Sequence, residues 1–115
     1  MARAPSAGDL TERVAFDRAV VTPDGYGGED REWVEAFSCA ARFDYERGRE
    51  AAEPGGQTGA AVFRVTIRSS LASRAVSTED RMRDVRRGVV FNVREVDAIT
   101  DRAWVYLRVE HGVAV

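Results

Sequence analysis

The sequence contains no lysine. Its 17 basic residues are all arginine, set against 19 Asp and Glu, for a formal charge of -2 over 115 residues. A free-standing DNA-binding module is usually basic, because phosphate neutralisation supplies most of its affinity. The balance here argues against that class. Arginine used to the exclusion of lysine suits bidentate ion pairs at protein interfaces, and it also follows from a GC-rich coding sequence. Both readings stand on composition alone.

Cysteine and histidine are nearly missing too: Cys39 and His111 are the single examples of each. One cysteine excludes an intrachain disulfide. One Cys and one His cannot by themselves build a zinc site. Cys39 lies in an alternating apolar stretch and reads as a small buried hydrophobe, since a nucleophile would need a nearby base. No run approaches the roughly 20 apolar residues that a membrane-crossing helix needs. Met1 to Leu10 lacks the apolar stretch of a signal peptide. The expectation is a chain made in the cytoplasm, without membrane contact.

What is present is ordinary globular material, 44% hydrophobic and 31% charged. The length predicts one domain over residues 1–115, with enough apolar content for one core. The dominant period is two. Phe63, Val65 and Ile67 alternate with Arg64, Thr66 and Arg68, and Val62 precedes them. Val89, Phe91 and Val93 alternate with Asn92 and Arg94, with Val96 extending the run. Val105, Leu107 and Val109 alternate with Tyr106, Arg108 and Glu110, and Val14 and Phe16 alternate with Arg13, Ala15 and Asp17. Alternation of this kind marks half-buried strands. A bulged strand is expected over Arg31–Phe43 and a short one over Met82–Val85. Turn chemistry at Pro23–Gly28, Arg87-Gly88 and Thr100–Arg102 separates these runs. The fold class is therefore all-β: a small antiparallel barrel or sandwich of about six strands, with long loops and at most one short helix. Closure is attractive at this size because it removes exposed strand edges.

One segment breaks the pattern. Residues 46–61 are rich in Gly, Ala and Glu around Pro54-Gly55-Gly56. A turn of helix is expected from Glu46 to Glu53, ending before Pro54, with the rest a long mobile loop.

Candidate chemistry is sparse. The acidic pairs Glu29–Asp30 and Asp44–Glu46 come without a histidine, nucleophile or metal-ligand spacing, and read as surface. Gly25-Tyr26-Gly27-Gly28 lacks the Lys and Ser/Thr of a phosphate loop. No cofactor, metal or catalytic residue is indicated, and the chain is not expected to be an enzyme. The aromatics carry more. Trp104 and Tyr106 alternate out of phase with Val105 and Leu107, so they are expected to face outward, near Arg68 and Arg108. Exposed aromatics beside arginine suit an interface hot spot. They equally suit a base-stacking platform, as in a nucleic-acid-binding module of the OB or SH3-like type.

The order of these features resembles the head–tail joining proteins of tailed phages, also called head-closure or stopper proteins. Ala7-Gly8-Asp9-Leu10-Thr11-Glu12-Arg13-Val14-Ala15-Phe16 is similar to the family's opening Gly-x-Leu-x-x-Arg-Val-x-Phe. Asp24-Gly25-Tyr26-Gly27-Gly28 followed by Trp33 resembles its Gly-rich loop and Trp. Ala41-Arg42 with Gly48-Arg49-Glu50, Arg64-Val65-Thr66-Ile67-Arg68, and Gly88, Phe91-Asn92-Val93 and Trp104 onward resemble its later segments. Phe63 stands where the family often has His, and Ala40 where it often has Trp, which changes packing or contact. The arginine- and alanine-rich style also suits a phage-like gene transfer particle.

The resemblance implies a structural part of the virion or phage-like particle, made in the bacterial cytoplasm. It implies a homo-oligomeric ring of 6 or 12 subunits, with the portal or adaptor ring on its head side and the tail terminator or tail on the other. DNA would pass through the channel without sequence-specific binding, gated by loops. The candidate contact residues are Tyr26, Trp33, Arg47, Arg49, Glu50, Arg68, Trp104 and Tyr106. The 46–61 segment is expected to reach a neighbour or line the channel through Arg47, Arg49 and Glu50.

Overall fold

The computed structural model describes residues 5–49 and 60–111. Six strands organise them: β1 (Glu12–Pro23), β2 (Glu29–Arg49), β3 (Ala60–Arg68), β4 (Arg81–Asp84), β5 (Val89–Asp97) and β6 (Trp104–His111). They hydrogen-bond in the closed order β1-β2-β3-β6-β5-β4, each pair antiparallel. The all-β expectation is met, and of barrel and sandwich the chain forms the closed sheet. Closure depends on the short pairing of β4 with β1, which sets Val14–Asp17 against Asp84–Arg81.

The alternating residues supply the core. Val14 and Phe16 of β1, Ala41 of β2, Val65 and Ile67 of β3, Met82 of β4, Phe91 and Val93 of β5, and Val105, Leu107 and Val109 of β6 pack together in the interior. Val76, from the segment leading into β4, joins them. Three bulges adjust the phase. The ladders skip Ala36 opposite Phe16/Asp17, Glu46 opposite Phe63/Val62, and Arg94 opposite Val109/Arg108. A bulge adds one residue, so the inward set moves by one position beyond it. That is why Val96, and not Glu95, packs against the core after Val93.

The helix expected over Glu46–Glu53 is a correction. Glu46–Arg49 continue β2, where Arg47, Gly48 and Arg49 pair with Val62, Ala61 and Ala60. Ladder hydrogen bonds to β3 outweigh the weak helix preference of a glycine-containing stretch. Residues 50–53, like the rest of 50–59, lie outside the described residues. The short helix sits elsewhere, at α1 (Leu71–Arg74). There Ser70 accepts from the Ser73 backbone N–H while the Ser73 hydroxyl accepts from the Ser70 N–H, a reciprocal cap. A single 3-10 turn spans Ala7–Asp9.

The strands are unequal, and this shapes the ends of the barrel. β4 meets β1 only as far as Asp17, and β3 meets β2 only from Ala41 onward. Beyond those points Arg18–Pro23 and Glu29–Val34 pair in the ladder only with each other. They form a two-stranded arm reaching roughly 20 Å past the sheet at about 3.3 Å per residue. The radius of gyration, 15.8 Å, exceeds the ~13 Å expected of a compact chain of this length.

Candidate functional site

The arm is the first candidate contact surface. Its tip is preorganised. The Asp24 carboxylate accepts from the backbone N–H of Tyr26 (2.7 Å) and Gly28 (3.1 Å), and the Asp24 N–H donates to the Gly28 carbonyl (3.1 Å). Gly25 and Gly27 adopt φ of 85° and 84°, a region that side chains with a Cβ avoid. Between them Tyr26 is held out into solvent, 94% exposed. Val20, Val21 and Val34 along the arm are also exposed. Glu29, Asp30 and Glu32 line it and make no ion pair among the described residues.

The root of the arm is clamped on the outer wall. Asp17 is buried, its side chain 3% exposed. It accepts from Arg83 Nε (2.7 Å) and Nη2 (3.0 Å) and from Arg81 Nε (2.8 Å). Arg83 Nη2 also donates to Glu35 (2.7 Å), which faces Asp17 across the β1–β2 ladder. Burial by itself would raise the Asp17 carboxyl, but the Arg83 and Arg81 hydrogen bonds outweigh it and hold the group below its ordinary range. Trp33 closes the clamp. The Arg81 guanidinium lies 4.7 Å from its ring centroid and that of Arg31 5.4 Å, a doubled cation–π contact.

The opposite end of the barrel is an apolar cup of about 460 Å³. Phe43, Phe63 and Phe91 meet there with ring centroids 5.7–6.1 Å apart, alongside Ala61 and Val89. His111 tilts against Phe91 at 5.6 Å. The rim carries a tight ionic turn. Asp84 accepts from the backbone N–H groups of Arg86 and Arg87 and from Arg87 Nη1 (2.6 Å), which also reaches Glu12 (2.8 Å). Beside the rim, Arg86 donates to the Thr11 carbonyl and Arg13 to the Ser38 hydroxyl, both neutral acceptors.

The remaining expected contacts divide. Trp104 lies on the outward face of β6 but is only 8% exposed, with Arg68 stacked over it at 5.3 Å. The expectation of an exposed Trp104 is therefore corrected: the arginine opposite it on β3 covers the ring. Tyr106 is half-buried and donates its hydroxyl to Asp101 (3.3 Å). With its principal ring covered, this wall is a poor stacking platform for bases. Arg108 pairs with Glu46 (2.8 Å) and Glu95 (2.7 Å), and Arg42 with Asp44 (3.1 Å). The second acidic pair of the sequence thus serves ion pairs along the sheet. Arg47 and Arg49 belong to the backbone of β2, with side chains outside the description, and Glu50 lies outside the described residues altogether. Tyr26 and Trp33 share the arm; Arg68, Trp104 and Tyr106 share the β3–β6 wall.

Sequence reasoning missed the Asp17–Arg81–Arg83–Glu35 clamp and the aromatic cup. Arg81 and Arg83 lie 64 and 66 positions from Asp17, and no local pattern connects them. The only available signal for the clamp was a charged residue alternating on the β1 face opposite Phe16.

The small closed β-barrel thus carries a clamped, exposed arm at one end and an apolar cup at the other. A family model described as phage head completion protein matches residues 5–112. The chain belongs to that family, which is a structural one. No curated protein matches the sequence. Among solved structures, a chain of the virion of a native gene transfer agent (GTA) particle superposes with a TM-score of 0.71 at 21% identity. The overlap covers 92% of this chain and 97% of that one. At that identity the likeness is one of fold.

Proposed function

We propose that this chain is a connector subunit of the head–tail junction, forming a ring of six or twelve copies through which DNA leaves the head. The observation that carries the reading is the family match over residues 5–112 on a barrel whose relative by fold belongs to a virion. Supporting it are two unlike surfaces at opposite ends of the barrel, as a subunit repeated head to tail around a ring requires. The portal or adaptor ring would lie on the head side and the tail terminator or tail on the other. Its action is mechanical: it holds a conduit together and helps retain DNA until the tail is attached. The formal charge of -2 fits a wall past which DNA slides without sequence-specific grip.

The test is deletion of the gene from its particle, followed by electron microscopy of the lysate. Filled or leaking heads beside separate tails are expected, with joining restored by the intact gene in trans. Normal joined particles from the deletion would overturn the reading. Averaged images of the junction give the ring order.

A further inference from the structure

We propose that the apolar cup of one copy receives the arm tip of the next, with Tyr26 as the inserted anchor. This inference rests on the ring reading above and names the contact that joins its subunits.

Shape is the first argument. A rigid, exposed aromatic on a preorganised turn binds with little loss of conformational freedom. Tyr26 is such a group, because the Asp24 hydrogen bonds and the flanking glycines fix the turn while leaving the ring 94% exposed. The cup offers the complementary feature, an opening of about 460 Å³ floored by Phe43, Phe63 and Phe91. It holds a tyrosine ring with room to spare, and the edges of neighbouring rings are arranged for further aromatic contact.

Charge is the second argument. The arm from Arg18 to Val34 carries Asp24, Glu29, Asp30 and Glu32 against Arg31 and Arg18, and Arg18 is already paired with Asp80 at its root (3.5 Å). The charged groups lining the cup, Glu12, Asp84 and Arg87, pair with one another, while beside it Arg86 and Arg13 donate to the neutral oxygens of Thr11 and Ser38. Docking sets the acidic arm beside these guanidinium groups, where complementary potentials align the two surfaces.

Placement is the third. β1 runs from Glu12 at the cup rim to Asp17 at the arm root, so donor and acceptor lie at opposite ends of every copy. A contact between unlike surfaces is heterologous, the kind that repeats head to tail and forms a ring when the rotation between copies closes. The clamp at Asp17 is the positioning element, because it fixes the direction in which the arm leaves the barrel.

The test uses the full chain in assembled particles. In a Cys39→Ser background, Tyr26→Cys is combined with Ala61→Cys in the cup, and particles are mildly oxidised. A control combines Tyr26→Cys with Leu71→Cys, which is 94% exposed near the arm end. A ladder of linked copies is expected from the first pair and not from the control. No ladder, equal ladders, or a link from position 26 to a different virion protein overturns the proposal. Tyr26→Ala, at a site too exposed to affect folding, should lower the yield of joined particles by roughly tenfold or more, and Tyr26→Phe should restore most of it. If gene deletion abolishes joining while Tyr26→Ala joins normally, this inference fails and the connector reading stands. If deletion itself leaves joining intact, the connector reading has failed first.

Discussion

Replacing Asp17 by alanine removes the centre of the clamp. The substitution deletes three hydrogen bonds of 2.7–3.0 Å to two guanidinium groups. Breaking a buried ion pair from one side commonly costs about 3–5 kcal/mol, because the other charge is stranded. Here the stranded partners are better placed. Arg81 and Arg83 are 24% and 33% exposed, Arg83 keeps Glu35, and Arg81 keeps the face of Trp33. The expected loss is therefore about 2–3 kcal/mol, at or below the bottom of that range. For a domain of this size that is a fall of about 10 °C in Tm, read by thermal unfolding at neutral pH. The pH dependence has a definite sign. The folded carboxyl titrates below its ordinary value, so its stabilisation is complete above the unfolded value of about 3.9. It is lost as pH falls through the folded value. Asp17→Asn should therefore flatten part of the acid limb of the stability curve. A remainder stays, since Asp84 is also held low: burial would raise it, and the Arg87 and Arg86 hydrogen bonds prevail. An Asp17→Ala protein within about 0.5 kcal/mol of the parent, the scatter of ordinary surface changes, would refute the clamp. So would an Asp17→Asn protein with an unchanged acid limb.

Phe91→Ala empties the junction between the core and the cup, where Phe91 is 4% exposed and touches Phe43 and Phe63. A loss of about 3–5 kcal/mol in urea unfolding is expected, with a β-type circular dichroism spectrum before the transition. Burial pushes the Cys39 thiol up to about 11. A thiol reagent at neutral pH should therefore react slowly with the folded chain and rapidly once it is unfolded. Duplex DNA titrated into the isolated chain at modest salt should bind weakly or not at all. Tight binding that falls steeply with salt would favour a nucleic-acid module.

Much of the barrel was legible in the sequence because a strand's inward face repeats every second residue. Val65, Ile67, Phe91, Val93, Val105 and Leu107 could be assigned to one core by alternation alone, and the turns by their Gly, Asp and Pro. The Asp24–Gly28 tip is equally local: an Asx turn and two glycines need only their neighbours. Tertiary structure decided what depends on partners distant in the chain. Glu46–Arg49 became strand because β3 lies beside them. Trp104 was covered because Arg68 stands opposite it across the β3–β6 ladder. Asp17 has the ordinary look of a solvent-facing residue on β1, and only the arrival of β4 brings Arg81 and Arg83 onto it. Of the arm, the local pattern reached only its second strand from Arg31 onward, and the alternation of β1 was legible only as far as Asp17. These strands become an arm because β3 and β4 stop short of them, a fact of pairing length that no residue within the arm encodes.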